Sequence, residues 1–210
     1  MKNPPEPSQD GLDRLVGVTD GIFAIALTLI VFDIHVPARD TIHSERELIS
    51  AVIALAPRFL TYAIGFLTLT IFWFGQQAQH NLIARADRRL STLHLSFLGF
   101  IALLPFSTDL LADFIGFRIA IVVYWLNLFA LGAMLFASWR YAEHNGMLVK
   151  DIDAGTIRRV YGRIVKAQIM WAIGAALSIV SPRLSIGFIF VVQLVYAVGP
   201  RVGWLQKIIG

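Results

Sequence analysis

Cysteine is absent from the 210 residues, so disulfides, thiolate metal sites and cysteine nucleophiles are all excluded. Charge is scarce, at 15% of residues, while 57% are hydrophobic and the mean hydropathy is +0.68. A soluble domain of this length cannot bury that much apolar surface, so the chain calls for lipid as its solvent. No polar connection is long enough to fold alone, which leaves no room for an additional soluble domain. Catalytic signatures are missing too: there is no H-E-x-x-H, no G-x-S-x-G, no Walker-type glycine loop and no G-x-G-x-x-G after a strand pattern. The five histidines, His35, His43, His80, His94 and His144, show no ligand-like helical spacing. We therefore expect no enzyme, no catalytic residue, no metal site and no cofactor. The pI near 9.7 does not signal nucleic acid, because the basic residues fall between apolar runs, where membrane orientation puts them.

What is present is a series of apolar runs, each near the roughly 20 residues that a hydrocarbon core of about 30 Å requires. They cover residues 15–36, 48–75, 90–111, 117–139, 164–180 and 184–198. The fold class is accordingly all-α, a polytopic membrane protein with six transmembrane helices in one domain, residues 12–210. The proline-rich start MKNPPEPSQD has no signal-peptide arrangement, and residues 1–11 are read as a disordered cytoplasmic tail. Pro57 predicts a kink near one interface of the second span.

With the N-terminus inside, the cytoplasmic loops receive Lys2, Arg14, Arg85, Arg88, Arg89, Arg140, Lys150, Arg158, Arg159, Arg163, Lys166, Arg201 and Lys207. Arg39, Arg46, Arg58, Arg118 and Arg183 fall at or near the other side. This positive-inside bias, with an even number of spans, predicts a multi-pass protein of the cell membrane with both termini cytoplasmic. Arg159, Arg163 and Lys166 share a loose helical spacing that the same bias accounts for. Trp73, Trp125, Trp139, Trp171 and Trp204 lie mostly near run ends, as interfacial anchors do.

The first span has the most unusual pattern. At about 100° per residue, Arg14, Val18, Leu29, Phe32 and Val36 fall within about 40° of a line through Ile25, flanked by Thr28 and Gly21. Such a stripe is either a packing or lipid face, or the wall of a narrow pore that excludes water. Gly17 and Gly21 form a G-x-x-x-G beside it, suited to close helix approach. Arg14 and Asp20 stand about 120° apart in helical phase, too far for a simple pair, so each needs partners on other helices. Candidates are Trp73, Gln76, Gln77, His80, Asn81 and His94.

These residues carry a family resemblance. Arg14, then Val18-Thr19-Asp20, Ala24-Ile25, Thr28-Leu29-Ile30 and Phe32-Asp33-Ile34 resembles the R-x-x-x-F-S-D and A-I-x-x-T-L-L-x-L-E-I signature of the transmembrane protein 175 family, which includes the lysosomal potassium channel and prokaryotic relatives. Phe72-Trp73, Asp87-Arg88-Arg89-Leu90 and the run Ala102 to Thr108 (ALLPFST) resemble that family's F-W, D-R-R-L and A-L-L-P-F-P-T segments.

The resemblance implies a six-helix subunit of a homotetrameric, potassium-permeable channel, with its first helices around a central pore and no carbonyl selectivity filter. The chain has no T-V-G-Y-G. The partners implied are three further copies of the chain, the lipid bilayer and permeant potassium ions, with no nucleic acid. By motif the constriction falls on Ile25, the characteristic threonine on Thr28, and further lining positions on Leu29 and Phe32. The structural polar network falls on Arg14, Thr19 and Asp20, with Trp73, Gln77 and His94. Val18 replaces the family's phenylalanine, Gln76 and Gln77 stand where histidines are frequent, and His94 stands for an asparagine, which keeps hydrogen-bonding capacity while changing geometry. A secondary transporter or a non-conducting membrane assembly protein of the same architecture is the alternative; carriers frequently show internal repeats, and none relates the two halves of this chain.

Overall fold

In a computed structural model, residues 9–198 are described. The expected tail segment before Gln9, and Arg201, Trp204 and Lys207, lie outside them. Eight α-helices follow in order: α1 (Gln9–Leu29), α2 (Glu45–Ala54), α3 (Ala56–His80), α4 (Arg88–Ala102), α5 (Leu104–Asp113), α6 (Arg118–His144), α7 (Ala154–Leu177) and α8 (Pro182–Val198). α2 with α3 and α4 with α5 each form one broken span, so the eight helices make six spans. The protein is an all-α, multi-pass membrane protein. Residues 11–33, 45–80, 88–113 and 118–144 are long and apolar enough to cross a bilayer by themselves.

Local chemistry explains the boundaries. Ser44 caps α2 by accepting from the Glu47 N–H at 3.3 Å, and the Glu47 carboxylate accepts the N–H of His43, the residue before the cap, at 2.7 Å. Asp87 and Asp153 cap α4 and α7, accepting from Leu90 N at 2.8 Å and Thr156 N at 2.9 Å. Pro57 and Pro105 each sit in the first turn of a new helix, where the missing N–H costs nothing. The break before Pro57 matches the expected kink. The break at Leu103 does not: the sequence predicts one continuous third span, whereas Pro105 cannot donate the hydrogen bond that would carry α4 onward.

Two other expectations are corrected. The first span ends earlier than Val36, because α1 tightens into a 3-10 turn over Ile30–Asp33 and the chain is extended at Ile34. Trp139 and Trp171 are buried in the protein, at 0% and 2% exposure, and are packing residues rather than interfacial anchors.

One aromatic run ties the spans together. Phe23 of α1 meets Phe97 of α4 at 6.1 Å, Phe97 meets Phe72 of α3 at 6.2 Å, and Phe72 meets Trp171 of α7 at 5.3 Å. Gly65 lets α3 approach Thr108 of α5, and Gly132 of α6 leaves room for Gln168 of α7 to donate to the Leu128 carbonyl at 3.1 Å. At the loop end, Ala84 N donates to Met147 O at 2.8 Å and Val149 N to Leu82 O at 3.0 Å, joining the α3–α4 and α6–α7 connections.

Candidate functional site: the first helix and its two ties

α1 has one sealed face and one open face. Leu12, Leu15, Thr19, Phe23, Ala26 and Ile30 are buried, spaced three or four residues apart as a single packing face demands. On the opposite side Arg14, Val18, Ile25, Thr28, Leu29 and Phe32 are exposed, with Ile25 at 59%, Leu29 at 44% and Phe32 at 69%. Gly17 and Gly21 belong to the open face, and a Cβ added at either would meet nothing within 4 Å. The stripe read from periodicity is therefore a continuous face that no described part of the chain covers. Val36 is exposed but lies beyond the helix. The Thr28 hydroxyl donates to the Ile25 carbonyl at 2.8 Å, so its hydrogen is turned to the backbone and its lone pairs are free to face outward.

Two ties connect α1 to α3. At the first, the Asp20 carboxylate accepts from Trp73 Nε1 at 3.0 Å and from Gln77 Nε2 at 3.3 Å. The structure thus brings together three of the six network residues expected from sequence. Thr19 is buried and donates to the Leu15 carbonyl within its own helix at 2.7 Å. Arg14 has no partner among the described residues. His94 belongs to another cluster: its Nδ1 pairs with the Leu90 carbonyl at 2.9 Å, and its ring stacks on His80 at 5.1 Å, while His80 Nε2 lies 2.9 Å from Gln76 Nε2.

The second tie is one that sequence reasoning misses. Arg58, in the first turns of α3, donates to the Asp33 carbonyl at 2.8 Å and to Asp113 of α5 at 2.6 Å, with Asp109 at 3.9 Å. A signal for it exists: a guanidinium just after a helix break and two acids four residues apart in an apolar span all need partners. A buried triad is missed as well, in which Thr68 and Tyr124 hydroxyls lie 2.6 Å apart and Gln193 Nε2 donates to both, at 2.6 and 3.2 Å.

The family motifs now have physical content. In F-W, Phe72 packs in the aromatic run and Trp73 holds Asp20; in D-R-R-L, Asp87 caps α4 and also accepts the Tyr141 hydroxyl at 2.7 Å. In A-L-L-P-F-S-T, the chain breaks at Leu103 and restarts with Pro105, and Thr108 meets Gly65. The result is a multi-pass membrane bundle that leaves a whole face of its first helix uncovered by any described residue while tying that helix at two levels to one neighbour.

Comparison with known proteins agrees. Residues 14–105 match the family described as endosomal/lysosomal potassium channel TMEM175. A potassium channel of Chamaesiphon minutus is 27% identical over 201 residues, covering 94% of this chain and 98% of that protein. A potassium channel of Streptomyces collinus is 30% identical over 178 residues, covering 82% of this chain and 85% of that one. The crystal structure of a lysosomal potassium-selective channel TMEM175 homolog from Chamaesiphon minutus superposes with a TM-score of 0.79 at 25% identity, over 90% of this chain and 98% of that chain. The chain belongs to the TMEM175 potassium-channel family.

Proposed function

We propose that four copies of the chain assemble about a central axis and conduct potassium ions between their α1 helices. One observation carries this reading: the open face of α1 is continuous from Arg14 to Phe32 while its other face is sealed. A single helix cannot enclose a pore, so closed cyclic symmetry is required, and a homotetramer supplies it. Facing the axis, four Ile25 side chains form an apolar ring that a hydrated cation passes only when the ring widens and wets. Leu29 and Phe32 continue that wall outward. Thr28, whose hydroxyl hydrogen is engaged by Ile25 O, offers oxygen lone pairs to a partly dehydrated ion.

Asp20, Trp73 and Gln77 hold α1 at its inner level. Arg14 is left to find its counter-charge across the subunit boundary. Thr19 supports this level from within the packed face, and His94 acts one step removed, through the cluster it forms with His80 and Gln76. The channel domain is residues 12–210, extended by the first turn of α1 from Gln9, both termini are cytoplasmic, and the protein resides in the cell membrane and performs no enzymatic reaction. No cofactor or nucleic acid takes part.

Reconstitution into liposomes tests the proposal. Wild-type protein should carry a potassium flux that does not saturate as a carrier's does, and Ile25→Asn, which places amide groups at the ring, should raise cation flux or weaken the preference for potassium over sodium. Strictly coupled exchange would favour the transporter. Unchanged flux and selectivity in well-assembled Ile25→Asn would remove Ile25 from the pore.

A further inference from the structure

The basic row on α7 points to a second site, independent of which helix lines the pore. Arg159, Arg163 and Lys166 are spaced by four and three residues, which places them on one face. Arg159 is already engaged, donating to the Thr156 hydroxyl at 2.6 Å and lying 3.9 Å from Asp153. Asp153 is committed to the cap of α7, and its bonds from the Thr156 hydroxyl and N–H hold its carboxyl below the usual carboxylate range. The other nearby acid, Glu143, is taken by the Tyr161 hydroxyl. Arg163 is exposed and forms no hydrogen bond or ion pair to another described residue.

The depth of these cations is set by helix length. The α7–α8 turn, with Val180 exposed and Arg183 beside it, marks the far interface. Counting back from Val180 at about 1.5 Å per residue places Lys166 at about 21 Å, Arg163 at about 25 Å and Arg159 at about 31 Å. A flat hydrocarbon core is about 30 Å thick, so Lys166 and Arg163 fall inside its near edge. Ionic groups at that depth draw water and headgroups inward or pair with an anion.

Beside them lies a place for the rest of such a molecule. α7 and α8 enclose an apolar groove of about 370 Å³, walled by Ile169, Met170, Val191 and Val195, with Lys166 and Tyr196 at its head. This falls in the range of roughly 300–1,000 Å³ typical of ligand sites. Tyr196 also lines the adjoining cavity together with Arg163, so groove and guanidinium meet at one residue.

We propose that the α7–α8 groove binds one anionic phospholipid, an acyl chain lying between Ile169, Met170, Val191 and Val195 and the phosphate bridging Lys166 and Arg163. A neutral zwitterionic lipid brings its own cation and gains less from the pair. The phosphate drawn to this level compensates the Arg163 guanidinium where α7 enters the hydrocarbon.

Native mass spectrometry of the assembled protein, titrated with phosphatidylglycerol or with phosphatidylcholine of the same chains, tests this. Wild type should retain phosphatidylglycerol at least tenfold more tightly. Arg163→Gln or Lys166→Gln should each cost about fivefold and the double variant about thirtyfold, with phosphatidylcholine unchanged, and Arg163→Lys should restore most of the loss. Val195→Trp, which fills the groove without touching charge, should weaken both lipids. The proposal is overturned by equal retention of the two lipids, by undiminished phosphatidylglycerol binding in the double variant, or by Val195→Trp having no effect. Equally effective competition by glycerol phosphate would overturn it as well, since a site that ignores the acyl chain is not this groove. A groove sealed by a second copy of the chain would retain no lipid at all, and that result would also overturn it.

Discussion

Replacing Arg58 with Gln removes the outer tie of α1 and tests whether it matters. The Arg58 side chain is 31% exposed, and those of Asp113 and Asp109 are 45% and 47% exposed, so solvent screens all three. The direct bonds to the Asp33 carbonyl at 2.8 Å and to Asp113 at 2.6 Å are each worth about 1 kcal/mol after that discount, and the 3.9 Å approach to Asp109 next to nothing. Removing the cation also leaves Asp109 and Asp113 facing each other one helical turn apart, a further few tenths of a kcal/mol. The expected loss is about 2–2.5 kcal/mol. At about 2–4 °C per kcal/mol for a chain of this size, thermal unfolding in mild detergent, followed by tryptophan fluorescence, should fall by about 4–10 °C. Arg58→Lys retains charge but cannot fork between a carbonyl and a carboxylate, and should recover about half. Combining Arg58→Gln with Asp113→Asn should cost about 1 kcal/mol less than the sum of the two single changes, because they remove the same bond. A midpoint within 1 °C of wild type, or strict additivity, would refute the reasoning.

Two further outcomes are expected. Asp20→Ala strips the acceptor from Trp73 and Gln77 and should lower stability by about 1–2 kcal/mol and reduce the yield of assembled protein, with Asp20→Asn retaining most of it; wild-type yield and midpoint in Asp20→Ala would show that these bonds do not hold α1. In Gly132→Ala the new Cβ would fall 1.8 Å from Gln168 Nε2 and 3.0 Å from its Cγ, so the whole side chain must leave; a loss of about 1–3 kcal/mol is expected, largely reversed by adding Gln168→Ala, and a neutral Gly132→Ala would show that Gln168 moves freely.

Some of this is legible in the residues alone and some is not, for reasons that differ by element. The spans follow from apolar run length, a one-dimensional property, and so does the open stripe of α1, because its period survives any packing arrangement. Asp20 has to find partners, and the candidates are few enough that Trp73 and Gln77 stand among them. The tie through Arg58 joins residues 25 and 55 positions apart, and nothing local marks which acid a guanidinium reaches. Helix breaks are half legible: Pro57 reads as a kink, whereas Pro105 sits inside a run so apolar that hydropathy bridges it. Burial of Trp139 and Trp171 shows the limit of position along a run as a guide, since an indole near a helix end can turn inward as easily as outward. The motif assigns His94 to the Asp20 level, and the stacking on His80 that takes its ring elsewhere depends on how α3 and α4 face each other.

The short 3-10 turn at Ile30–Asp33 gives the first helix an adjustable screw. Each residue that passes from 3-10 to α geometry shortens the segment by about 0.5 Å and turns everything on one side of it by about 20°, so four residues store about 2 Å of travel and about 80° of phase. With Asp20 held to Trp73 and Gln77 at one end and the Asp33 carbonyl held by Arg58 at the other, neither end can swing to absorb that change. The rotation must be taken up between them, by the stretch that carries Ile25, Thr28 and Leu29. Rewinding one turn at the outer end would therefore exchange which side chains of that stretch point along a given direction, as a camshaft held in two bearings converts a twist at one end into a new profile along its length.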